Sequence, residues 1–289
     1  MSRPRVWLIT GASTGFGRAM TELILKNGDI AVATLRRPEM LSELSAQYSV
    51  DRLLVQKLDV TNAAEVDAAF ARTKEQYGRL DVVFNNAAYG VVSEVEAAYG
   101  HEKPVRDMFD TNFWGATRVT QAAVKFFREV NEPGMGGRLL QVSSMSGVEG
   151  TPAIGLYVAS KFALEGLSEA LAKELDPSWN IKVTIIEPGI FITEGQSNMT
   201  VIEPLPVYSS SPASIVRQML VDLQTKPAGS DPRKAVEAFY RLTSLPDPPL
   251  HFPIGKDAIE GIRRKAEGLI RDTNTYASWS EELEVTSEK

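Results

Sequence analysis

The feature that most constrains this chain is the alternation of short apolar runs with longer stretches of helical period. Runs at residues 6–10, 30–34, 53–57, 82–85, 138–142 and 182–186 are mostly rich in Val, Ile and Leu without strict alternation. That texture belongs to strands buried on both faces. Stretches of helical period at 18–27, 39–47, 63–77, 105–127 and 157–175 fall between them. The order predicts an α/β fold: a doubly wound parallel sheet of about seven strands, closed by a weaker run at 250–254, with helices on both faces. Asn27-Gly28 reads as a left-handed helix end. Asp59-Val60-Thr61-Asn62 sets capping residues before the third helix. Around 110–114 the segment 105–127 reads either as two helices or as one with a break.

After Pro188 the texture changes. Residues 190–212 combine prolines with Ser and Thr, which predicts an irregular segment, followed by helices over 212–225, 232–242 and 259–271. From about Trp279 the chain is polar and acidic, which predicts disorder. The expected organisation is one catalytic domain over 1–289, with a substrate-loop insertion at about 190–225 and a C-terminal extension at about 243–289. At 289 residues the chain can bury a sizeable core. The absence of cysteine excludes disulfides, thiolate metal sites and Cys nucleophiles, and with only His101 and His251 no metal site is expected. A net charge of −6 argues against nucleic acid as a partner. The apolar run at 6–9 is too short for a signal-peptide core and nothing approaches a membrane span, so a soluble, cytoplasmic protein is expected.

Directly after the first run stands Thr10-Gly11-Ala12-Ser13-Thr14-Gly15-Phe16-Gly17, and a helix follows. The spacing T-G-x-x-x-G-x-G differs from G-x-G-x-x-G, since Met20 stands where the last glycine would be. The physics is shared: glycines permit a tight turn, and the free N–H groups of the next helix face a pyrophosphate. Gly11, Gly15 and Gly17 are therefore positions of close backbone approach, unless the loop is merely a glycine-rich turn. The second run ends in Leu35-Arg36-Arg37, where a site for NAD would usually place an acidic residue. Arg36 and Arg37 can clamp a 2′-phosphate instead, which favours NADP (NADPH) over NAD. The plainer alternative is a solvated basic pair.

Tyr157 and Lys161 open a strongly helical segment, four residues apart and so on one face. A phenol is a poor acid–base catalyst at neutral pH, and a neighbouring cation favours its phenolate. Alone, such a pair is most often an ordinary helix pair. Its context adds Val142-Ser143-Ser144 at the end of the fifth strand, where open sheets place their ligands. Neither histidine follows a nucleophile-elbow sequence, so no Ser–His–acid set competes.

Together, Thr10-Gly11-x-x-x-Gly15-x-Gly17, Asn85-Asn86-Ala87, Ser144, Tyr157-x-x-x-Lys161 and Pro188-Gly189 resemble the single-domain short-chain dehydrogenase/reductases over about residues 5–195. The resemblance implies a Rossmann-type fold and a hydride-transferring oxidoreductase. It implies Tyr157 as general acid, Ser144 as the group that polarises the carbonyl, Lys161 as the residue that lowers the tyrosine pKa and binds the nicotinamide ribose, and Asn112 as support for a proton-relay water. It implies cofactor contacts at Ser13, Thr14 and Phe16 in the glycine loop, and at Asp59 and Val60 beside the adenine. It adds Asn86, Ala87 and Ala88 behind the cofactor, and Pro188, Gly189 and Thr193 near the nicotinamide. Thr14 is not basic, so Arg36 carries the NADP assignment. Ala88 replaces the glycine of N-N-A-G, a change that matters only where positive φ is needed, in which case Gly90 is placed to take the turn.

The expected reaction interconverts a carbonyl and an alcohol, as in carbonyl reductases. The alternatives are a catalytically silent NADP(H)-binding regulator and a related epimerase or dehydratase. The expected pocket wall is 190–208 with Val148, Glu149 and Ile154. Its Phe191, Ile192, Met199, Val201, Leu205 and Tyr208 suggest an apolar or aromatic small molecule, unless they only pack the insertion onto the core. The resemblance implies a homodimer or homotetramer, formed through the helices that hold Asn112 and Tyr157.

Overall fold

The structure is a computed structural model and describes residues 3–281 and 283. In chain order its elements are β1 (Val6–Thr10), α1 (Gly15–Lys26), β2 (Ile30–Leu35), α2 (Ser42–Ser45), β3 (Leu53–Lys57), α3 (Ala63–Tyr77), β4 (Val82–Asn85) and β5 (Val91–Val92). They continue with α4 (Glu102–Phe109), α5 (Ala116–Glu129), β6 (Gly137–Val142), α6 (Gly155–Glu174), β7 (Ile181–Pro188), α7 (Glu194–Ser197) and β8 (Thr200–Val201). The last four are α8 (Pro212–Thr225), α9 (Pro232–Leu242), β9 (His251–Ile254) and α10 (Lys256–Tyr276).

Seven strands form one parallel sheet in the order β3-β2-β1-β4-β6-β7-β9, the α/β Rossmann-like architecture expected. The weak run at 250–254 is its edge strand, with Ile185 paired to His251 and Ile186 to Phe252. Each strand feeds both faces. From β1, Trp7 and Ile9 enter a core shared with Met20, Ile24 and Phe239 under α1 and α9. Val6 and Leu8 enter the opposite core with Val66, Phe70, Val119 and Phe126 under α3 and α5. Both cores exclude water, and so all five residues of β1 are buried. Strand order reverses between β1 and β4, which opens a crevice at the carboxyl ends of the strands.

Local chemistry sets the helix ends. The Asn62 side chain accepts from Ala64 N (3.0 Å) and Glu65 N (3.3 Å) at the start of α3, and Gly78 closes that helix at φ +68°. Gly28, at φ +86°, ends the turn after α1 as anticipated. Other expectations need correction. The segment 39–47 is a single turn of 3₁₀ helix at Pro38–Leu41 running into the four-residue α2, because Pro38 sits at its start and only Leu41 and Leu44 are buried. Of the two readings of 105–127 the second holds, one helix with a break: α4 passes through a π-helical turn at Asp110–Gly115 into α5. Gly115 lies against Val60, where a Cβ would press into the valine side chain at 2.6 Å.

Two-residue strands β5 and β8 pair in parallel as a small second sheet, too short to leave a periodic signal. The helix expected at 259–271 is longer, and Ala277–Ser280 adds an exposed 3₁₀ turn. Of the acidic tail expected from Trp279, residues 282 and 284–289 lie outside the described residues. Among the described residues, no helix is long and apolar enough to cross a membrane.

Candidate active site

A groove of about 850 Å³ follows the carboxyl ends of the strands. Its floor begins at the turn after β1, where Gly11 (φ +67°) and Gly15 (φ +53°) occupy the left-handed region that a side chain resists. Ser13, Thr14 and Phe16 complete this wall, and Phe16 meets Phe191 edge-on at 5.2 Å between ring centres. Gly17 does not line the groove. It lies behind, where a Cβ would run into the Gly11 carbonyl, so its role is to let α1 approach the strand. The Thr10 hydroxyl accepts from Asn86 N (2.8 Å) and Ala87 N (3.0 Å), and Asn86 Nδ2 donates to Thr10 O (2.9 Å). These bonds clasp the end of β4 to the glycine loop. Asn86, Ala87 and Ala88 face the groove. Ala88 is not among the residues with positive φ, so alanine is unstrained there. Gly90 has no positive φ either and instead packs against Met199.

Arg36 and Arg37 line the groove beyond β2, both exposed. Among the described residues neither has an acidic partner within ion-pair distance. Asp59 and Val60 stand beside them, and Asp59 Oδ1 is occupied by Thr61 N (2.9 Å) and Thr61 Oγ1 (2.7 Å). Pro188 and Thr193 line the far end, whereas Gly189 backs onto Asp257. Sequence reasoning missed several lining groups. Tyr89, Asp107, Asp110 and Thr111 come from the wall around the π-helical turn, and the three-residue spacing of the two aspartates was the available signal. It also missed Glu194, whose carboxylate accepts from Gly15 N at 2.9 Å and so occupies an amide of the glycine loop.

Tyr157 and Lys161 rise from the first turns of α6 on one face. Lys161 is buried, its Nζ lies 5.9 Å from the Tyr157 ring centre, and it donates to Val142 O at 2.9 Å. Burial lowers the Lys161 ammonium to about 8, with Glu165 pulling the other way. Burial also pushes the Tyr157 phenol up, and the group that works against it is the Ser144 hydroxyl. Desolvation is thus the larger influence on this phenol, with Ser144 opposing it. The Ser144 oxygen also accepts from Ser146 N at 3.1 Å, fixing the turn after β6. Asn112 is buried in the π-helical turn. Its Nδ2 donates to Tyr89 O (2.9 Å) and Ser160 Oγ (3.2 Å), and its Oδ1 accepts from Tyr89 N (3.1 Å). The side chain thus ties the loop after β4 to α6.

Beside Tyr157 lies a small apolar cluster in which Val92, Ile154, Met199 and Leu220 pack together. The expected wall divides. Met199 and Ile154 face Tyr157, while Phe191 joins the main core. Glu149 turns away to pair with Arg264 at 2.7 and 2.8 Å. Ile192 and Val201 are exposed, and the Tyr208 hydroxyl donates to Glu96 at 2.9 Å. Over this side lies α8, held by Arg217. Its Nε donates to Glu94 Oε1 (2.8 Å), its Nη2 pairs with the other oxygen, and its Nη1 donates to Ile202 O (2.7 Å).

Comparison with known proteins places the chain in a family. The short chain dehydrogenase family matches residues 5–201. An uncharacterised oxidoreductase of Schizosaccharomyces pombe is 38% identical over 271 residues, covering 91% of this chain and 86% of that protein. A 3-ketodihydrosphingosine reductase of Bacteroides thetaiotaomicron is 34% identical over 253 residues, covering 88% of each. The crystal structure of a short-chain dehydrogenase from Streptomyces avermitilis superposes with a TM-score of 0.86 at 34% identity, over 98% of this chain and all of that one. The chain belongs to the short-chain dehydrogenase/reductase family and is an oxidoreductase of that family acting on a small molecule.

Proposed function

We propose that the chain is an NADP(H)-dependent reductase that interconverts a ketone or aldehyde with its alcohol, on a predominantly apolar substrate. The observation that carries this reading is the meeting of Ser144, Tyr157 and Lys161 beside the groove, with the small apolar cluster of Ile154, Met199 and Leu220 packed against the same tyrosine. The groove fits a dinucleotide: its turn holds two left-handed glycines, and at Gly11 a Cβ would press on Ala87 and Asn86 at 3.1 Å. The exposed, acid-free pair Arg36 and Arg37 supports the preference for a 2′-phosphate. When bound, the dinucleotide supplies the hydride.

Tyr157 donates the proton to the substrate oxygen, and the Ser144 hydroxyl donates a hydrogen bond to that oxygen. Lys161 holds a positive charge beneath the tyrosine and, being anchored on Val142 O, binds the ribose from a fixed position. Asn112 positions the Tyr89 wall and supports the relay water. The whole chain acts as one catalytic unit in this reading, with residues 190–225 covering the substrate and 243–289 as an extension. The 3-ketodihydrosphingosine reductase among its relatives reduces, by its name, a ketone on a long-chain base, and that supports an apolar carbonyl substrate here.

The test is a panel of apolar ketones and aldehydes followed by NADPH absorbance, with Tyr157→Phe beside the parent chain. Turnover that falls by about two to four decades in the variant, with NADPH still bound, is expected. NADPH binding with no turnover of any carbonyl or alcohol would instead indicate a nucleotide-binding regulator.

A further inference from the structure

One turn along α6 from Lys161, on the same face, three elements bring together two carboxylates and an imidazole. Glu165 lies one turn after Lys161 on α6, Glu187 near the end of β7, and His251 at the start of the edge strand β9. One ligand atom of each stands within 4.8 Å of the others. His251 Nδ1 lies 2.7 Å from Glu187 Oε1 and 3.7 Å from Glu165 Oε2. On its other nitrogen, Nε2 lies 3.7 Å from Glu169 Oε1.

The two carboxylates are unusually deep. Glu187 is 1% and Glu165 5% exposed, and both oxygens of Glu165 lack a hydrogen-bond partner. An ionised carboxylate of that burial is costly unless a cation meets it. Lys161 is committed to Val142 O, and the Ser143 hydroxyl is the other polar group beside Glu165. Two buried carboxylates thus face a single imidazole.

We propose that Glu165, Glu187 and His251 form a binding site for a divalent transition cation. The donor set is mixed: two carboxylate oxygens and one imidazole nitrogen suit Zn²⁺ or Mn²⁺ better than Mg²⁺, which prefers oxygen alone. Glu169, 3.7 Å from Nε2, stands within reach of the second ring nitrogen, where metal-bound histidines generally have a partner, while Nδ1 faces the carboxylates. His251 has a half-exposed side chain at the sheet edge, and this gives the ion a route in from solvent. An ion there would tie α6 to β7 and β9 one turn along from Lys161. It would also neutralise the carboxylate that otherwise supports the lysine charge. This inference does not depend on the substrate or cofactor proposed above.

The experiment uses the tag-free full chain, stripped with a chelator and titrated calorimetrically with Zn²⁺, Mn²⁺ and Mg²⁺. One Zn²⁺ or Mn²⁺ per chain is expected, with Mg²⁺ at least tenfold weaker and a rise in melting temperature on loading. His251→Gln and Glu187→Gln should each weaken binding by more than tenfold, and Glu169→Gln by roughly ten- to a hundredfold. Circular dichroism and a cooperative melt of each stripped variant establish that it folds, and His251, at the exposed edge, is the variant least exposed to misfolding. Absence of stoichiometric binding to the parent chain would show that protons alone neutralise the cluster and overturn the proposal. Binding that survives both His251→Gln and Glu187→Gln would overturn it equally.

Discussion

Replacing Arg217 by Met tests how the cover over Tyr157 is held. Of α8 only Arg217 and Leu223 are buried, while Ile215 and Met219 on the same helix are exposed. Apolar packing of Leu220 and Leu223 holds α8 in part, and the forked pair with Glu94 plus the bond to Ile202 O is its buried polar anchor. Glu94 is 3% exposed, so removing the guanidinium leaves a nearly dry carboxylate unpaired, at about 3–5 kcal/mol. Because α8 lies outside the two main cores, that loss falls on the local opening of the helix rather than on global unfolding. It corresponds to roughly two to almost four decades in the opening equilibrium.

Hydrogen exchange read by mass spectrometry on peptides spanning 200–225 measures this directly. Arg217→Met should accelerate exchange there and leave the peptides of β1 and β4 unchanged. Unaltered protection of α8, or a loss spread evenly over the sheet, would refute the reasoning. The pH dependence has a definite sign. The Arg217 hydrogen bond holds the Glu94 carboxyl below its usual value of 4.5, against burial. Its contribution is therefore complete above about pH 4.5 and is lost as pH falls through the lower folded value. Protection of α8 in the parent chain should decline only on the acid side of that point.

Three further outcomes are expected. Arg36→Ala should reduce the preference for NADPH over NADH by roughly ten- to a hundredfold in dissociation constant, read by fluorescence titration; an unchanged ratio would remove the phosphate clamp. Glu194→Gln should tighten NADPH several-fold, since the carboxylate that now takes the Gly15 amide competes with a pyrophosphate for it; weaker binding would contradict that competition. Gly17→Ala should destabilise the chain by about 1–3 kcal/mol in urea titration, because its Cβ meets the rigid Gly11 carbonyl rather than a side chain that can move.

Much of the fold was legible because burial on both faces leaves a mark on composition. Trp7 with Ile9 and Val6 with Leu8 serve opposite cores, so β1 reads as a continuous apolar run. The positions of Ser144, Tyr157 and Lys161 were legible for a different reason, since strand ends and helix starts are set by sequence-local chemistry. Their electrostatics were not. Tyr157 beside Lys161 suggests a lowered phenol, yet desolvation depends on what the distant Val92, Met199 and Leu220 cover. Likewise Glu94 and Arg217, separated by 123 positions, carry no mark of their pairing. A break near Asn112 was legible, but not that it is a π-helical turn in which Gly115 packs against Val60. The cluster of Glu165, Glu187 and His251 spans three elements and has no spacing a linear reading can find.

The short pairing of β5 with β8 moors the segment after Pro188 at one end. Thr200 N bonds to Gly90 O and Ile202 N to Val92 O, at 3.0 Å each. At the other end, Ile192 N and Ser230 N exchange bonds with Ser230 O and Ile190 O, at 2.9 Å each. The arch over 193–199, which carries Thr193 and Glu194, runs between these moorings and is also tied sideways: Gln196 Nε2 donates to Ala228 O at 2.9 Å, and Gln224 Nε2 on α8 donates to Met199 O at 2.7 Å. An arch held in that way moves with α8 rather than apart from it. In the function proposed above, cofactor exchange and substrate choice are thereby mechanically coupled. Lengthening or recolouring 203–225 to admit a new substrate should therefore also change how Glu194 meets the Gly15 amide.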